Sequence, residues 1–253
     1  MFDVIIIGGG IGGSASALRT AQNGLNALWI LGSKKNRKRS RSQWVMNLDN
    51  IVGFHEDIIK NQIIKTLKRN KQDDAIPFVE KEHYHINNRM LIQNTIQRIE
   101  TGFSNVTIMD GEVLQLAKTD FGFSLELGDE IFEGNSIVLS TGVMDEQPHI
   151  LKQNKKGEWE ESPKWIYPFA NREQVLYCIR CEGHLTTDDS AAVIGHSNVA
   201  AEISMMLYER YGNQVSILTN GVTPDISANR LSILKKYNVK IISEPIKGLI
   251  SEG

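Results

Sequence analysis

The sequence predicts an α/β protein of two tandem Rossmann-like modules, and three features carry that prediction. A β-branched apolar run, Phe2–Ile7, passes directly into Gly8-Gly9-Gly10-Ile11-Gly12-Gly13 and then into a small-residue segment of helical character. A second strand–turn–helix pattern comes far downstream, with Ala191–Ile194, the turn Gly195-His196-Ser197-Asn198-Val199-Ala200, and Ala201–Tyr211. Between the two, short strands and helical segments follow one another as a layered α/β fold requires.

The elements follow in order. Phe2–Ile7 reads as a buried parallel strand because its apolar residues run on without alternation. Ser14–Thr20 is the helix behind the first turn, and Gly24 is placed to close it with a left-handed cap. Ala27–Leu31 supplies the next strand and completes a βαβ unit. Gly32–Ser42, with the basic run Lys34 to Arg41 and no interleaved aromatics, reads as a solvated loop. Ile58, Ile59, Ile63, Ile64 and Leu67 lie near helical spacing and place a helix from about Glu56 to Arg69; another spans Asn88–Thr101. Val106–Met109, Glu112–Leu116, Gly122–Leu127 and Ile131–Leu139 read as strands, three of them a meander. Leu151–Tyr177 reads as a polar, tryptophan-containing connector. After the second turn and its helix come the strand Val215–Leu218, a helix near Ser227–Lys236 and the strand Val239–Ser243.

Bulk properties narrow the function classes. The chain has 253 residues, 41% of them hydrophobic and 23% charged, an ordinary globular composition with material for a core. Lys+Arg number 28 against 30 Asp+Glu; the net charge of −2 gives no case for a nucleic-acid or membrane partner. No apolar run reaches bilayer length, and Met1 leads almost at once into a strand without a leader pattern. The only two cysteines sit three residues apart, unlike a secreted disulfide framework, so the expected compartment is the cytoplasm.

Two motifs carry chemistry. In Gly8-x-Gly10-x-x-Gly13, the first glycine permits the tight turn, the second lets a pyrophosphate approach the backbone, and the third lets helix and strand pack closely. The helix start then offers free N–H groups to the phosphates. A ligand-free glycine turn is the plainer alternative. The second strand ends at Leu31-Gly32-Ser33 without the acidic residue that often holds a ribose hydroxyl, which weakens a case for plain NAD at this first turn. The other motif is Cys178-Ile179-Arg180-Cys181, whose spacing lets both sulfurs close a small disulfide ring. A helix N-terminus or a cation such as Arg180 can supply the thiolate that disulfide exchange needs. The alternatives are an inert pair or half a zinc site, for which only His184 and His196 lie near as further ligands; no metal is expected. The turn from Gly195 is a degraded fingerprint: Ser197 replaces the middle glycine and Ala200 fills the last position.

The order of these motifs, with Ser140-Thr141-Gly142 at a strand end and Cys178-Ile179-Arg180-Cys181-Glu182-Gly183 before the second fingerprint, resembles the low-molecular-weight thioredoxin reductases and their relatives. That resemblance implies tandem Rossmann-like FAD- and NAD(P)-binding modules of three-layer ββα type. It divides the chain into an FAD-binding domain, 1–144, and a pyridine-nucleotide-type domain, 145–253, that carries the cysteines. It implies that Gly8, Gly10 and Gly13 hold the FAD pyrophosphate, with Thr141 and Gly142 at the crossing between domains, and that Gly195 and Ala200 belong to a site for NADH or NADPH. Asn47–Phe54 resembles a segment near the flavin. By the same resemblance Cys181 faces the flavin, Cys178 attacks the external disulfide, and Glu182, standing where the family has Asp, is the general acid–base.

Three departures accompany it. Thr219-Asn220-Gly221-Val222-Thr223-Pro224 stands where NADPH users carry a basic cluster, with no arginine until Arg230; Ser197 replaces a glycine; and the sequence ends at Gly253 before the family's return to the FAD domain. The expected function is an FAD-dependent dithiol–disulfide oxidoreductase, a homodimer, acting on a thioredoxin-like protein or small-molecule disulfide. Two other classes stay open: a non-catalytic nucleotide-binding homologue, and an FAD-dependent dithiol oxidase that uses oxygen.

Overall fold

The computed structural model describes residues 1–38, 40–45, 56–82 and 88–251. The chain divides into two compact units, Met1–Asp145 and Glu146–Gly253.

The first unit contains β1 (Phe2–Ile7), α1 (Ile11–Gln22), β2 (Ala27–Ile30), α2 (Lys34–Arg37), α3 (Glu56–Arg69), α4 (Ile76–Lys81), α5 (Asn88–Gly102), β3 (Val106–Met109), β4 (Val113–Thr119), β5 (Gly122–Leu127) and β6 (Glu130–Leu139). Its six strands are ordered β3-β2-β1-β6-β5-β4. β1 pairs in parallel with β2 and β6, and β2 with β3, whereas β4, β5 and β6 form an antiparallel meander.

The unbroken apolar runs of β1 and β2 are explained by burial on both faces. Ile6, Trp29 and Leu31 point to one side and pack with Ala17 of α1 and Ile99 of α5. Ile5, Ile7, Leu28 and Ile30 point to the other and pack with Leu125 and Leu127 of the meander. Meander, parallel sheet and helices are therefore stacked as the expected three layers. Gly134 makes the fold-over possible: it pairs with Phe2 on one side and Phe123 on the other, and a Cβ there would lie 2.8 Å from Ile5 Cγ1.

Helix α1 lies close to the sheet because its buried residues, Gly13, Ser14, Ala17, Thr20 and Ala21, are small and share one helical face. Its end is closed by Gly24 in a left-handed conformation and by Asn105 Nδ2, which donates to the carbonyls of Ala21 and Leu25. Helix α3 keeps the expected bounds, but none of its residues is fully buried; its apolar side chains are only partly covered, with α4 packed beside it.

The basic segment differs from the expected solvated loop. Ser33 accepts from the Asn36 amide and caps α2, Arg37 pairs with Asp110 at 3.0 Å, Asn36 donates to Glu112, and Arg41 pairs with Asp145. Several of its polar groups are therefore spent within the unit, because acidic residues follow β3 and β6 on the same end of the sheet.

The second unit contains β7 (Ile150–Gln153), β8 (Trp159–Ser162), α6 (Tyr167–Ala170), α7 (Ile179–Glu182), β9 (Ser190–Ile194), α8 (Asn198–Tyr211), β10 (Gln214–Leu218), α9 (Ala228–Lys236) and β11 (Lys240–Ile242). β9, β10 and β11 form a parallel sheet ordered β11-β10-β9, and its core gathers Val193, Val215 and Ile217 with Ala201, Leu207 and Leu234 of the helices. Gly212, with φ of 68°, ends α8. The segment expected as a plain connector holds an antiparallel hairpin, β7–β8, whose turn is tied by Asn154 Oδ1 accepting from the amides of Lys156 and Glu158. Among the described residues no helix is long and apolar enough to cross a membrane.

Candidate active site

The two glycine turns occupy equivalent places in their units. Gly8 N–H donates to the Ile30 carbonyl at 2.8 Å, and Gly195 N–H donates to the Leu218 carbonyl at 3.0 Å. Each turn thus leaves its strand against the next strand's end, so Gly10 corresponds to Ser197 and Gly13 to Ala200.

At the first turn every glycine of the fingerprint has a physical reason. Gly8 has φ of 127°, and a Cβ on it would overlap the Ser140 carbonyl. A Cβ on Gly13 would overlap the Gly8 carbonyl and lie 3.1 Å from Trp29 Nε1. Gly10, the N-cap of α1, is different: among the described residues the only atom within 4 Å of an added Cβ is Ser42 Oγ, at 3.9 Å. Among the described residues, space is open above that backbone and no side chain caps the helix start. Trp29, fully buried, donates from its indole nitrogen to the Gly8 carbonyl at 3.0 Å and braces the turn from beneath. Ser140 N–H and Oγ both meet the Ile7 carbonyl, which sets Ser140-Thr141-Gly142 beside the turn, with Thr141 and Gly142 exposed and Gly142 at φ of 62°.

The structure therefore brings Gly8, Gly10, Gly13, Thr141 and Gly142 together. Trp29 and Ser42 are additions that the sequence reading did not make. Ser42 follows no spacing rule and reaches the turn through the chain path after β2. Trp29 carried a readable signal: a tryptophan in a strand buried on both faces must place its N–H on an acceptor. The segment at residues 47–54, expected near a flavin, lies outside the described residues.

In the second unit Cys178 and Cys181 form a disulfide with Cα atoms 5.2 Å apart. Cys178 is the N-cap of α7 and the Cys181 N–H returns to its carbonyl at 3.0 Å, so the ring closes on a single helical turn. Glu182 is 3% exposed, and its Oε2 accepts the amides of Tyr177 and Cys178, each at 3.1 Å. The carboxylate thus reaches back to the start of its own helix, as acidic residues in a first turn do. Gly183 follows because Tyr211 lies on it: a Cβ there would come within 2.5 Å of the ring, whose hydroxyl approaches the Ile179 carbonyl at 3.4 Å. No group of three or more His, Cys, Asp or Glu placed to hold a metal occurs among the described residues.

The second turn packs as its fingerprint demands, with a Gly195 Cβ only 3.0 Å from the Ala200 Cβ. Its ligand face is occupied by the protein itself. Ser197 caps α8 by accepting the Val199 amide on its Oγ, and the chain after β10 is tied to the turn through a parallel bridge between Ser197 and Asp225. A groove of about 530 Å³ between α8 and α9, lined by Met205, Met206, Ile233 and Tyr237 among others, contains none of the expected site residues.

A Rossmann turn that is open to a diphosphate among the described residues of one unit, and a cysteine disulfide in the unit that carries the second Rossmann turn, are features of a nucleotide-dependent redox protein. The sequence pattern of the pyridine nucleotide-disulphide oxidoreductases matches residues 2–245, and the chain belongs to that family. It is an oxidoreductase of the thioredoxin reductase-like fold. Its fold is similar to thioredoxin reductase from Streptococcus pyogenes (17% identity, TM-score 0.64, covering 100% of this chain and 67% of that one). It is also similar to thioredoxin reductase from Giardia duodenalis (16%, 0.62, 100% and 67%) and to an oxidoreductase from Agrobacterium tumefaciens (21%, 0.57, 99% and 68%). No curated protein sequence matches the chain.

FAD and a nicotinamide nucleotide are the cofactors of this family and fold. The first turn fits FAD: among the described residues the N–H groups at the start of α1 are uncapped by side chains and the space over Gly10 is open, as a diphosphate requires.

Proposed function

We propose that the chain is an FAD-dependent dithiol–disulfide oxidoreductase that reduces a thioredoxin-like protein or small-molecule disulfide. The observation that supports it most is the Cys178–Cys181 disulfide at the start of α7, with the Glu182 carboxylate bonded to the Cys178 amide. In this reading the backbone of Gly8, Gly10 and Gly13 holds the diphosphate, with Thr141 and Gly142 at the same site. Bound FAD supplies a two-electron exchange with the disulfide.

The chain's own residues carry the rest. Two electrons from an external reduced donor open the Cys178–Cys181 bond and leave two sulfurs free to exchange. The Cys178 thiolate attacks the substrate's S–S bond, forming a mixed disulfide and expelling one substrate thiolate, which takes a proton from Glu182. Cys181 then attacks the Cys178 sulfur, re-forms the ring and releases the second substrate thiolate. Cys181 is the sulfur that exchanges with the flavin, and the functional unit is a cytoplasmic homodimer. Thioredoxin reductases among the structural neighbours support a thioredoxin-like partner.

The test uses Cys181→Ser in FAD-loaded protein. The flavin should still bleach with dithionite, Cys178 should be trapped as a mixed disulfide with an added disulfide substrate, and turnover should stop. Continued turnover by this variant would rule the scheme out. A second reading is favoured by the self-capped second turn: a dithiol oxidase, in which a substrate dithiol plus dioxygen gives a disulfide plus hydrogen peroxide. Peroxide release on adding a dithiol to the aerobic protein, without any nicotinamide, distinguishes it.

A further inference from the structure

We infer that the second Rossmann turn is closed to pyridine dinucleotides, so that this chain keeps the nucleotide-binding module of its family without its nicotinamide ligand. The chain carries two turns at equivalent positions, and they differ. At the first, the N-cap is Gly10, and among the described residues no side chain caps the helix and the backbone faces open space. At the second, the N-cap is Ser197, whose Oγ already accepts the Val199 N–H that a phosphate oxygen would take.

The chain that follows the next strand differs in the same sense. After β2 it is tied to residues that follow β6, through a bridge between Ser40 and Met144 and the Arg41 N–H on the Val143 carbonyl, and among the described residues it approaches Gly10 only with Ser42 Oγ, 3.9 Å from where a Cβ would stand. After β10 it folds tightly, with Asn220 and Gly221 at positive φ and Thr219 Oγ1 donating to the Val222 carbonyl. It then crosses to the second glycine turn. Asp225 N–H donates to the His196 carbonyl at 2.7 Å, Ser227 N–H donates to Asn198 Oδ1 at 2.9 Å, and Ser197 and Asp225 form a parallel bridge. Bridged backbones lie about 5 Å apart. An adenosine ribose and its diphosphate have to lie in the crevice between the glycine turn and the end of the next strand, and that width is filled by residues 225–227.

Charge points the same way. Arg230 is the only arginine between β10 and β11, and all three of its nitrogens are engaged: Nε and Nη2 on Glu202 Oε1, and Nη1 on Ser227 Oγ at 3.1 Å. The cation nearest in sequence to the missing basic cluster is thus already neutralised by a carboxylate, while Asp225 adds an exposed negative charge directly beside the turn. A 2′-phosphate is held best by an unengaged guanidinium, and a diphosphate is repelled by a neighbouring carboxylate.

The experiment is isothermal titration of NADH and NADPH, separately, into the FAD-loaded protein, with the visible flavin band followed in parallel under argon. The expected result is no heat beyond dilution and no bleaching with either nucleotide up to millimolar concentration, while dithionite bleaches the same sample. Saturable heat near one site per chain, or bleaching by either nucleotide, overturns the inference. If the purified protein takes up no flavin, the FAD reading fails separately, and the calorimetric arm still reads the second turn alone. A variant that removes the strap's anchor, Ser197→Gly with Asp225→Pro, is expected to acquire nucleotide heats that the native chain lacks. Should this variant unfold, the native titration decides.

Discussion

Gly10→Ala separates the ligand role of the first turn from its structural role. The Gly10 backbone sits at φ −87°, ψ −168°, an extended conformation that alanine adopts without strain, and among the described residues the new methyl meets only Ser42 Oγ at 3.9 Å. The cost to the apo fold is therefore the N-cap preference of glycine over alanine, about 0.5–1 kcal/mol. The same methyl projects into the space over the turn where the diphosphate must approach. FAD affinity is expected to fall at least tenfold, about 1.4 kcal/mol or more. Gly13→Ala provides the contrast. Its Cβ would overlap the Gly8 carbonyl and press on Trp29, so α1 must retreat and the indole–carbonyl bond is lost. Overpacking of about 1–3 kcal/mol adds to about 1–3 kcal/mol for the orphaned buried polar groups. The assay pairs thermal unfolding of the apo proteins with FAD titration by quenching of flavin fluorescence. Gly10→Ala should keep the melting temperature within a few degrees and lose flavin; Gly13→Ala should lose both. A Gly10→Ala protein that binds FAD like the native chain would show that no diphosphate lies against this turn.

Three further outcomes follow from the same geometry. Trp29→Phe removes the donor to the Gly8 carbonyl while keeping most of the ring, so it should cost about 1–3 kcal/mol by denaturant unfolding and weaken FAD binding; an unchanged affinity would mean the brace is not needed. Glu182→Gln keeps an oxygen acceptor for the Tyr177 and Cys178 amides but has no proton to exchange, so stability should hold while disulfide reduction slows by about 10²-fold, and native turnover would leave Glu182 as an anchor only. Gly183→Ala drives a methyl against the Tyr211 ring and should destabilise the second unit by about 1–3 kcal/mol; Tyr211→Ala in the same background should relieve part of that cost, and a failure to do so would locate the strain elsewhere.

Much of the fold was legible because its signals are local. Short apolar-rich runs marked β1, β2 and β10, and the small-residue face of α1 followed from the glycine turn it extends. The meander could be read from its turns, though not the pivot at Gly134, whose meaning lies in a contact with Ile5. The β7–β8 hairpin escaped because only Ile150 and Ser162 of its eight strand residues are buried, so no alternating pattern reaches the sequence. At the site, the fingerprints and the cysteine pair announced themselves by spacing. The brace from Trp29, the reach of Glu182 to the Cys178 amide and the strap from Asp225 to Ser197 did not, since each joins groups through hydrogen bonds that residue types alone leave undetermined. The absence of a basic cluster after β10 was visible beforehand; that Arg230 is held by Glu202 was not.

Everything proposed for the chemistry requires that flavin and disulfide exchange electrons within one protein. Anaerobic titration of the FAD-loaded chain with dithionite counts those electrons directly. The native protein should take up about four electrons per chain, about two for the flavin and two for the Cys178–Cys181 bond, and Cys178→Ser about two. Uptake of only two by the native protein, with the disulfide intact afterwards, would contradict the account.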